Sequence, residues 1–245
     1  MKTPLDQARD YVISAIEQLA SLENTGLHGV CQARELTRQF SHGVTMITGH
    51  LRTALERCAR ELFDRCGCPK TVKKGNSKAG KKPMIYFPIV APSLALDSAK
   101  FAVVVETNIP GLPGNRPDLV TLLASFQAKW LADFATVCNM NKHTRNDPSV
   151  AVTFTHIAIG GGAIRLLGRG KGEMRGIVCN DCVFDLALDE RGDVAKFDAV
   201  PGVDLEKSVV VDSIRFDAVN EEVIPFLHRA VAGVEQIVEK IAKRI

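Results

Sequence analysis

Leu119 to Ala158 reads LVTLLASFQAKWLADFATVCNMNKHTRNDPSVAVTFTHIA, and a change of period inside this stretch decides the fold. Up to Val137 the apolar residues Leu119, Leu123, Phe126, Trp130, Phe134 and Val137 recur every three or four positions, the spacing of one helix face. Pro117 and Asp118 just before them suit a helix start. Beyond Pro148 the period drops to two. Val152, Phe154, His156 and Ala158 alternate with Thr153, Thr155 and Ile157, as a strand requires. A long helix therefore hands over to a sheet across one short connection.

On the N-terminal side the helical pattern dominates. Thr3 and Pro4 fit the cap and first residue of a helix carrying Leu5, Ala8, Val12, Ile16 and Leu19 on one face, with an end expected near Asn24 to Gly26. A second helical region begins near Leu27. In it Val44, Ile47, Leu51, Leu55, Cys58 and Leu62 form a single stripe, a seam for other helices. Gly67 to Lys82 is nearly free of apolar residues and reads as an exposed loop, after which order returns at Tyr86-Phe87-Pro88-Ile89.

Toward the C-terminus, shorter strands are expected at Ala163 to Leu167 and Gly176 to Cys179. Cys182, Phe184, Leu186 and Leu188 then alternate up to a turn at Asp189 to Asp193, and Val194 to Ala199 fits the returning strand of a hairpin. Ser208 to Asp217 reads as the last strand. Asn220 is expected to cap a closing helix with Val223, Leu227, Ala230, Val234, Ile237, Ile241 and Ile245 on one face. Glu221 and Glu222 at its start and Lys240, Lys243 and Arg244 at its end complement the helix dipole. The expected fold class is α+β: a helical bundle over residues 1–147, an antiparallel sheet over 148–219, and a closing helix over 220–245 packed on the bundle.

Composition bounds the function more than it chooses one. With 245 residues, 46% hydrophobic, 24% charged and 6% aromatic, the chain matches ordinary globular proteins, which excludes wholesale disorder, collagen and coiled-coil arrays. One Trp and two Tyr argue against an aromatic platform for carbohydrate. No apolar run approaches the roughly 20 residues of a membrane helix, and Met1 to Asp10 lacks the apolar core of a signal peptide. The expectation is a cytoplasmic protein without a membrane partner.

The net charge of +3 is too small to imply nucleic-acid binding by the whole surface. Between Pro69 and Pro83, however, stand six lysines and no acid. Of these, Lys73, Lys74, Lys78, Lys81 and Lys82 are candidates to follow a phosphate backbone; a solvated loop accounts for the same residues. Seven cysteines without a secretory signal read as free thiols. Cys66 and Cys68 can be drawn with Cys179 and Cys182 as a zinc site, but Cys-x-Cys is a poor ligand spacing. The second pair, read as lying in one strand, would point to opposite faces. No metal and no cofactor are expected.

Two polar clusters carry what chemistry is visible: Gly49-His50-Leu51-Arg52-Thr53-Ala54-Leu55-Glu56, and Asn141-Lys142-His143-Thr144-Arg145. The first, followed by Phe87-Pro88-Ile89 and then by Asn141-Lys142-His143, resembles a widespread group of bacterial proteins related to the HEPN helical domains. The resemblance covers residues 40–145 at best. It implies a helical bundle, often dimeric, from a superfamily in which many members are metal-independent ribonucleases of toxin and antiviral systems and others only bind or scaffold. Active members pair an Arg with a His across a wider gap than this chain's nearest approach, Arg38 to His42, which has three residues between.

Metal-free RNA cleavage needs a base for the 2′-hydroxyl, an acid for the leaving oxygen and cations around the phosphate. His50 and His143 can supply acid and base, since histidine titrates near pH 6.5. Arg52 and Lys142 can supply the cations, and Asn141 is a polar position on an otherwise apolar face that requires a partner. At about 100° per residue, His50 and Arg52 fall on opposite flanks of the stripe through Val44, Leu51 and Leu62, so both grip one phosphate only if a second helix or subunit bridges them. A purely structural assignment serves the same residues: His50 bonded to a neighbouring helix, Arg52 paired with Glu56, and Asn141, Lys142 and His143 capping carbonyls at a helix end.

Fainter signals remain. Gly168-Arg169-Gly170-Lys171-Gly172 can cradle an anion, although a hairpin turn is its ordinary reading. His156 fits a hydrogen-bonded core position, and His228 and Arg229 lie off the closing helix's stripe as solvated residues. Two functions follow as expectations: a HEPN-like protein that binds or cleaves RNA in a defence or toxin context, or a non-catalytic scaffold that uses the bundle for homodimerisation or to hold a protein partner.

Overall fold

The computed structural model describes residues 2–33, 36–67, 85–143, 150–154, 157–159, 162–164, 172–179, 182–188, 194–197, 205–206 and 211–245. Helix α1 (Pro4–Ser21) starts from a capping box. The Thr3 hydroxyl accepts the Asp6 N–H at 3.1 Å while the Asp6 carboxylate accepts the Thr3 N–H at 3.1 Å, and Pro4 occupies the first turn where no N–H is needed. Its buried face is Leu5, Ala8, Val12, Ala15 and Leu19; Ile16, expected on that face, is 43% exposed and Ala15 takes its place.

The helix does not end at Asn24 to Gly26 as its composition suggests. A π-helical turn, Leu22–Gly26, carries the chain directly into α2 (Leu27–Ala33), with the Leu27 N–H bonded to the Leu22 carbonyl. Leu22 is the reason this works. Its side chain lies where a Cβ on Gly26 or on Gly43 would stand, 2.8 Å from each, so glycine at both positions lets the next helix close over it.

Helix α3 (Arg38–Cys66) is capped by Thr37, whose hydroxyl accepts the Phe40 N–H at 3.1 Å. All six residues of its expected stripe, Val44, Ile47, Leu51, Leu55, Cys58 and Leu62, are buried. The stripe meets α1, α8 and α9, each full burial of such a side chain being worth about 1.5–3 kcal/mol. Burial pushes the Cys58 thiol up to about 12, so Cys58 serves here as an apolar filler. Glu61, also buried, is held by Arg65 at 2.6 Å.

After Tyr86 to Val90 come two short helices, α4 (Pro92–Ala95) and α6 (Leu112–Asn115), on either side of α5 (Ser98–Asn108). The long apolar face read from Leu119 to Val137 is divided between α7 (Pro117–Ser125) and α8 (Lys129–His143). The break falls at Gln127. Its side chain is buried and bonded to two chain segments at once, and the chain turns around it.

Helix α9 (Val223–Ala242) packs on α1, α3 and α8. Its cap residue is Glu222, so it starts later than Asn220, which instead has a positive φ of 52° in the turn before it. Glu221–Glu222 forms a two-residue strand, so Ser208 to Asp217 is not the last strand of the chain. Gly233 faces the Trp130 ring of α8 so closely that a Cβ there would collide with it.

The strands form three antiparallel three-stranded sheets. In the first, β1 (Val150–Phe154) pairs with β8 (Val211–Phe216), which pairs with β9 (Glu221–Glu222). This sheet joins the helical core through buried Ile214 and Phe216, the latter edge-to-face with Phe226 of α9 at 5.3 Å. In the second, β2 (Ile157–Ile159) lies between β3 (Gly162–Ile164) and β7 (Leu205–Glu206). The third is the meander β4 (Gly172–Cys179), β5 (Cys182–Leu188), β6 (Val194–Phe197).

Two expectations change here. Cys179 and Cys182 are not on one strand; they face each other in register across a two-residue hairpin connection. Strands β3 and β4 belong to different sheets, so Gly168 to Gly172 does not join paired strands; residues 165–171 lie outside the described residues. Among the described residues no helix is long and apolar enough to cross a membrane.

Candidate functional site

Leu51 separates the two candidates on α3. It is fully buried, and the neighbours on its two sides turn to different helices. The His50 ring, half-buried, lies against Tyr11 of α1 with centroids 5.7 Å apart and planes tilted by 34°. The Arg52 guanidinium turns the other way. Its Nε donates to Glu56 Oε1 at 3.1 Å and Nη1 donates to Asn139 Oδ1 of α8 at 3.2 Å. Two residues at 100° each are 200° apart, so a rigid helix buries its seam between them. His50 and Arg52 do not share a site within one chain.

Arg52 stands at the rim of a cleft of about 200 Å³. Leu55 and Glu56 of α3, Phe134, Ala135 and Cys138 of α8, Asn108 of α5 and the Tyr86–Ile89 segment complete its wall. Gln127 fixes that last segment. Its Oε1 accepts the Val90 N–H at 3.0 Å, and its Nε2 donates to the Pro88 carbonyl at 3.0 Å and the Leu123 carbonyl at 3.1 Å. The cleft is a mixed environment: buried Phe87 and Phe134 beside one cation, one carboxylate and two carboxamides. The Arg52–Glu56 pair leaves it without net charge.

Asn141, Lys142 and His143 are the last three helical residues of α8; their side chains lie outside the described residues. Helical spacing puts positions 142 and 143 three and four residues beyond Asn139, on the face of α8 that carries Asn139, and puts 141 on the face of Val137 and Cys138. The end of α8 and Arg52 are thus neighbours, although 87 residues separate Arg52 from Asn139. The candidate loop residues Lys73, Lys74, Lys78, Lys81 and Lys82, like His156, lie outside the described residues.

Two further readings change. His228 is not simply solvated, since its Nε2 meets Glu23 Oε1 on the π-turn at 2.8 Å. Arg229 bonds Glu221 at 3.0 Å and lies over the Phe226 ring. Among the described residues, no group of three or more His, Cys, Asp or Glu could hold a metal ion.

Sequence reasoning passes over Asn139, Asn108, Tyr86 and Gln127. The one signal for Asn139 is that it precedes Lys142 and His143 by a helical turn and so shares their face. Comparison with known protein families, curated proteins and solved structures finds no match to this chain.

Proposed function

We propose that the chain is a HEPN-like protein that binds RNA and, as a single chain, does not cut it. The observation that carries the second half is the division of α3: His50 packs on α1 while Arg52 is engaged by Glu56 and Asn139 on the opposite flank. A base and a cation so divided do not meet at one phosphate. Support for RNA as the partner comes from the lysine-rich run between Pro69 and Pro83 and from the resemblance of His50 to Leu55, Phe87-Pro88-Ile89 and Asn141-Lys142-His143 to HEPN relatives. Positions 142 and 143 continue the cleft-lining face of α8, which adds a lysine and a histidine to the rim. The defence or toxin setting belongs to the same proposal and rests on the resemblance alone.

A second reading, a homodimeric scaffold, is favoured by Ile13 and Ile16, which stand 54% and 43% exposed on one side of α1. The test is to incubate the purified chain with a mixed RNA pool and EDTA, beside His50→Ala and His143→Ala, while its mass is read by light scattering. Salt-sensitive binding with intact RNA is the expected result. Cleavage lost in both variants would replace binding by catalysis across two chains. A dimer with no affinity for RNA would leave the scaffold.

A further inference from the structure

The hydrogen-bonding groups of the cleft are only half used, and the unused half has a definite chemistry. The amide orientation of Asn139 follows from its partner: Arg52 can only donate, so Oδ1 receives it and Nδ2 is left as a donor. The orientation of Asn108 follows likewise. Its Nδ2 donates to the Val104 carbonyl at 2.9 Å, which leaves Oδ1 as an acceptor. Glu56 accepts Arg52 through Oε1 alone, leaving Oε2, and Nη2 of Arg52 carries further N–H groups. These four groups have no partner among the described residues, and they alternate donor with acceptor.

Charge and size narrow the ligand. A phosphate meeting Arg52 would also meet the open oxygen of Glu56, and the pair offers it no net attraction. A neutral molecule with its own donors and acceptors meets complementary groups instead. The cleft, at about 200 Å³, is smaller than the roughly 300–1,000 Å³ of sites for drug-sized ligands, so it has room for one ring system. Its apolar wall is aromatic, with Phe87 and Phe134 both buried and Tyr86 36% exposed. A flat heterocycle finds its faces matched by rings and its edge by amide, guanidinium and carboxylate groups.

We infer that this cleft receives a single unpaired nucleobase, recognised through Asn139, Asn108, Arg52 and Glu56. The inference rests on the RNA-binding reading for the source of the base; a free nucleoside offers the same chemistry. It separates two jobs within the molecule, base recognition in an uncharged cleft and phosphate attraction elsewhere.

The experiment measures binding of a single-stranded RNA oligonucleotide, the same oligonucleotide with abasic positions, and the four free nucleosides. The full chain is compared with Asn139→Asp and Asn108→Ala, each checked for native helicity and melting temperature. Asn139→Asp keeps an oxygen for Arg52 and removes only the open donor, so it tests the cleft without dismantling it. The expected result is a loss of about tenfold in RNA affinity for each variant and a comparable loss for abasic RNA. The slope of log affinity against log salt stays unchanged, because no phosphate contact is removed. RNA bound equally well by both folded variants, or equally with and without bases, overturns the cleft assignment and leaves RNA binding standing. Nucleosides bound in an Asn139-dependent way with no affinity for RNA keep the cleft and overturn the RNA reading. Failure to bind either overturns both.

Discussion

Replacing Gln127 by leucine removes a carboxamide of similar size from a nearly closed site, where only 8% of the residue is exposed. Three hydrogen bonds are lost, and they are unequal. The Leu123 carbonyl lies one turn back on the same stretch of chain, whereas the Val90 N–H and the Pro88 carbonyl belong to the segment that walls the cleft. Pro88 is buried, so its carbonyl faces the full cost of going unpaired, about 1–3 kcal/mol. Val90 is half-buried and can reach water, which limits its share to about 1 kcal/mol. The apolar leucine offsets part of this, leaving a net loss of about 2–3 kcal/mol. For a chain of this size that is a fall of roughly 4–12 °C in melting temperature.

Urea denaturation of the wild type and Gln127→Leu, with hydrogen exchange followed at residues 85–90, reads both the global and the local effect. Gln127→Glu is the informative companion. It keeps an acceptor for Val90 but points a carboxylate at two carbonyls. Relative to the wild type at each pH, it should therefore be less damaging near pH 4.5, where it can be protonated and donate, than at pH 7. A Gln127→Leu protein within about 0.5 kcal/mol of wild type, with unchanged exchange at residues 85–90, would refute the assignment of this side chain as the segment's anchor.

Other outcomes follow from the same packing. Gly233→Ala gains about 1 kcal/mol of helix propensity but sets a methyl into the Trp130 ring, a cost of about 1–3 kcal/mol. A modest net loss with shifted emission from the chain's single tryptophan is expected, and a net gain would mean the ring swings aside. Arg9 grips Glu239 with two bonds, at 2.8 and 3.2 Å, which holds the Glu239 carboxyl below its ordinary value. The stabilisation is accordingly present above about pH 4.5 and fades as pH falls through the lowered folded value. Glu239→Gln should cost about 0.2–1 kcal/mol at pH 7 and nothing resolvable near pH 3, and a cost that persists at acid pH would contradict the charge pairing. Cys58 should resist alkylation at pH 8 in the native protein while half-buried Cys66 is modified, as peptide mass mapping can read; equal labelling would show that α3 opens readily.

What the sequence carried, and what it did not, divides along lines of range. The stripe on α3 is legible because its six residues repeat at one element's own period, and the 200° between His50 and Arg52 follows from the same arithmetic. Ile16 was misplaced on α1 because spacing alone does not distinguish it from Ala15, one residue earlier, and the small side chain suits the close approach to α3. Strand segments near Val152, Cys182 and Val194 are visible from alternation, yet alternation says nothing about partners, and the pairing of β1 with β8 joins residues more than fifty positions apart. The break at Gln127 was hidden for the opposite reason. Its neighbours continue a helical period, and only the carboxamide's bonds to Val90 and Pro88 explain why the chain turns. Asn139 and Asn108 had no local signature, since what sets them apart is the company of Arg52 and Glu56 across the cleft.

The π-turn at Leu22–Gly26 sets a limit on how this chain can vary in length. A π-turn accommodates one residue more than an α-turn, so removing a single residue there would restore an uninterrupted α-helix and rotate everything after it by about 100°. Gly26 would leave Leu22, Glu23 would lose its line to His228, and α3 would be delivered to α1 with the wrong flank forward. Viable deletions in this hairpin should therefore come with a compensating insertion before Thr37, a coupling that a library of length variants can detect.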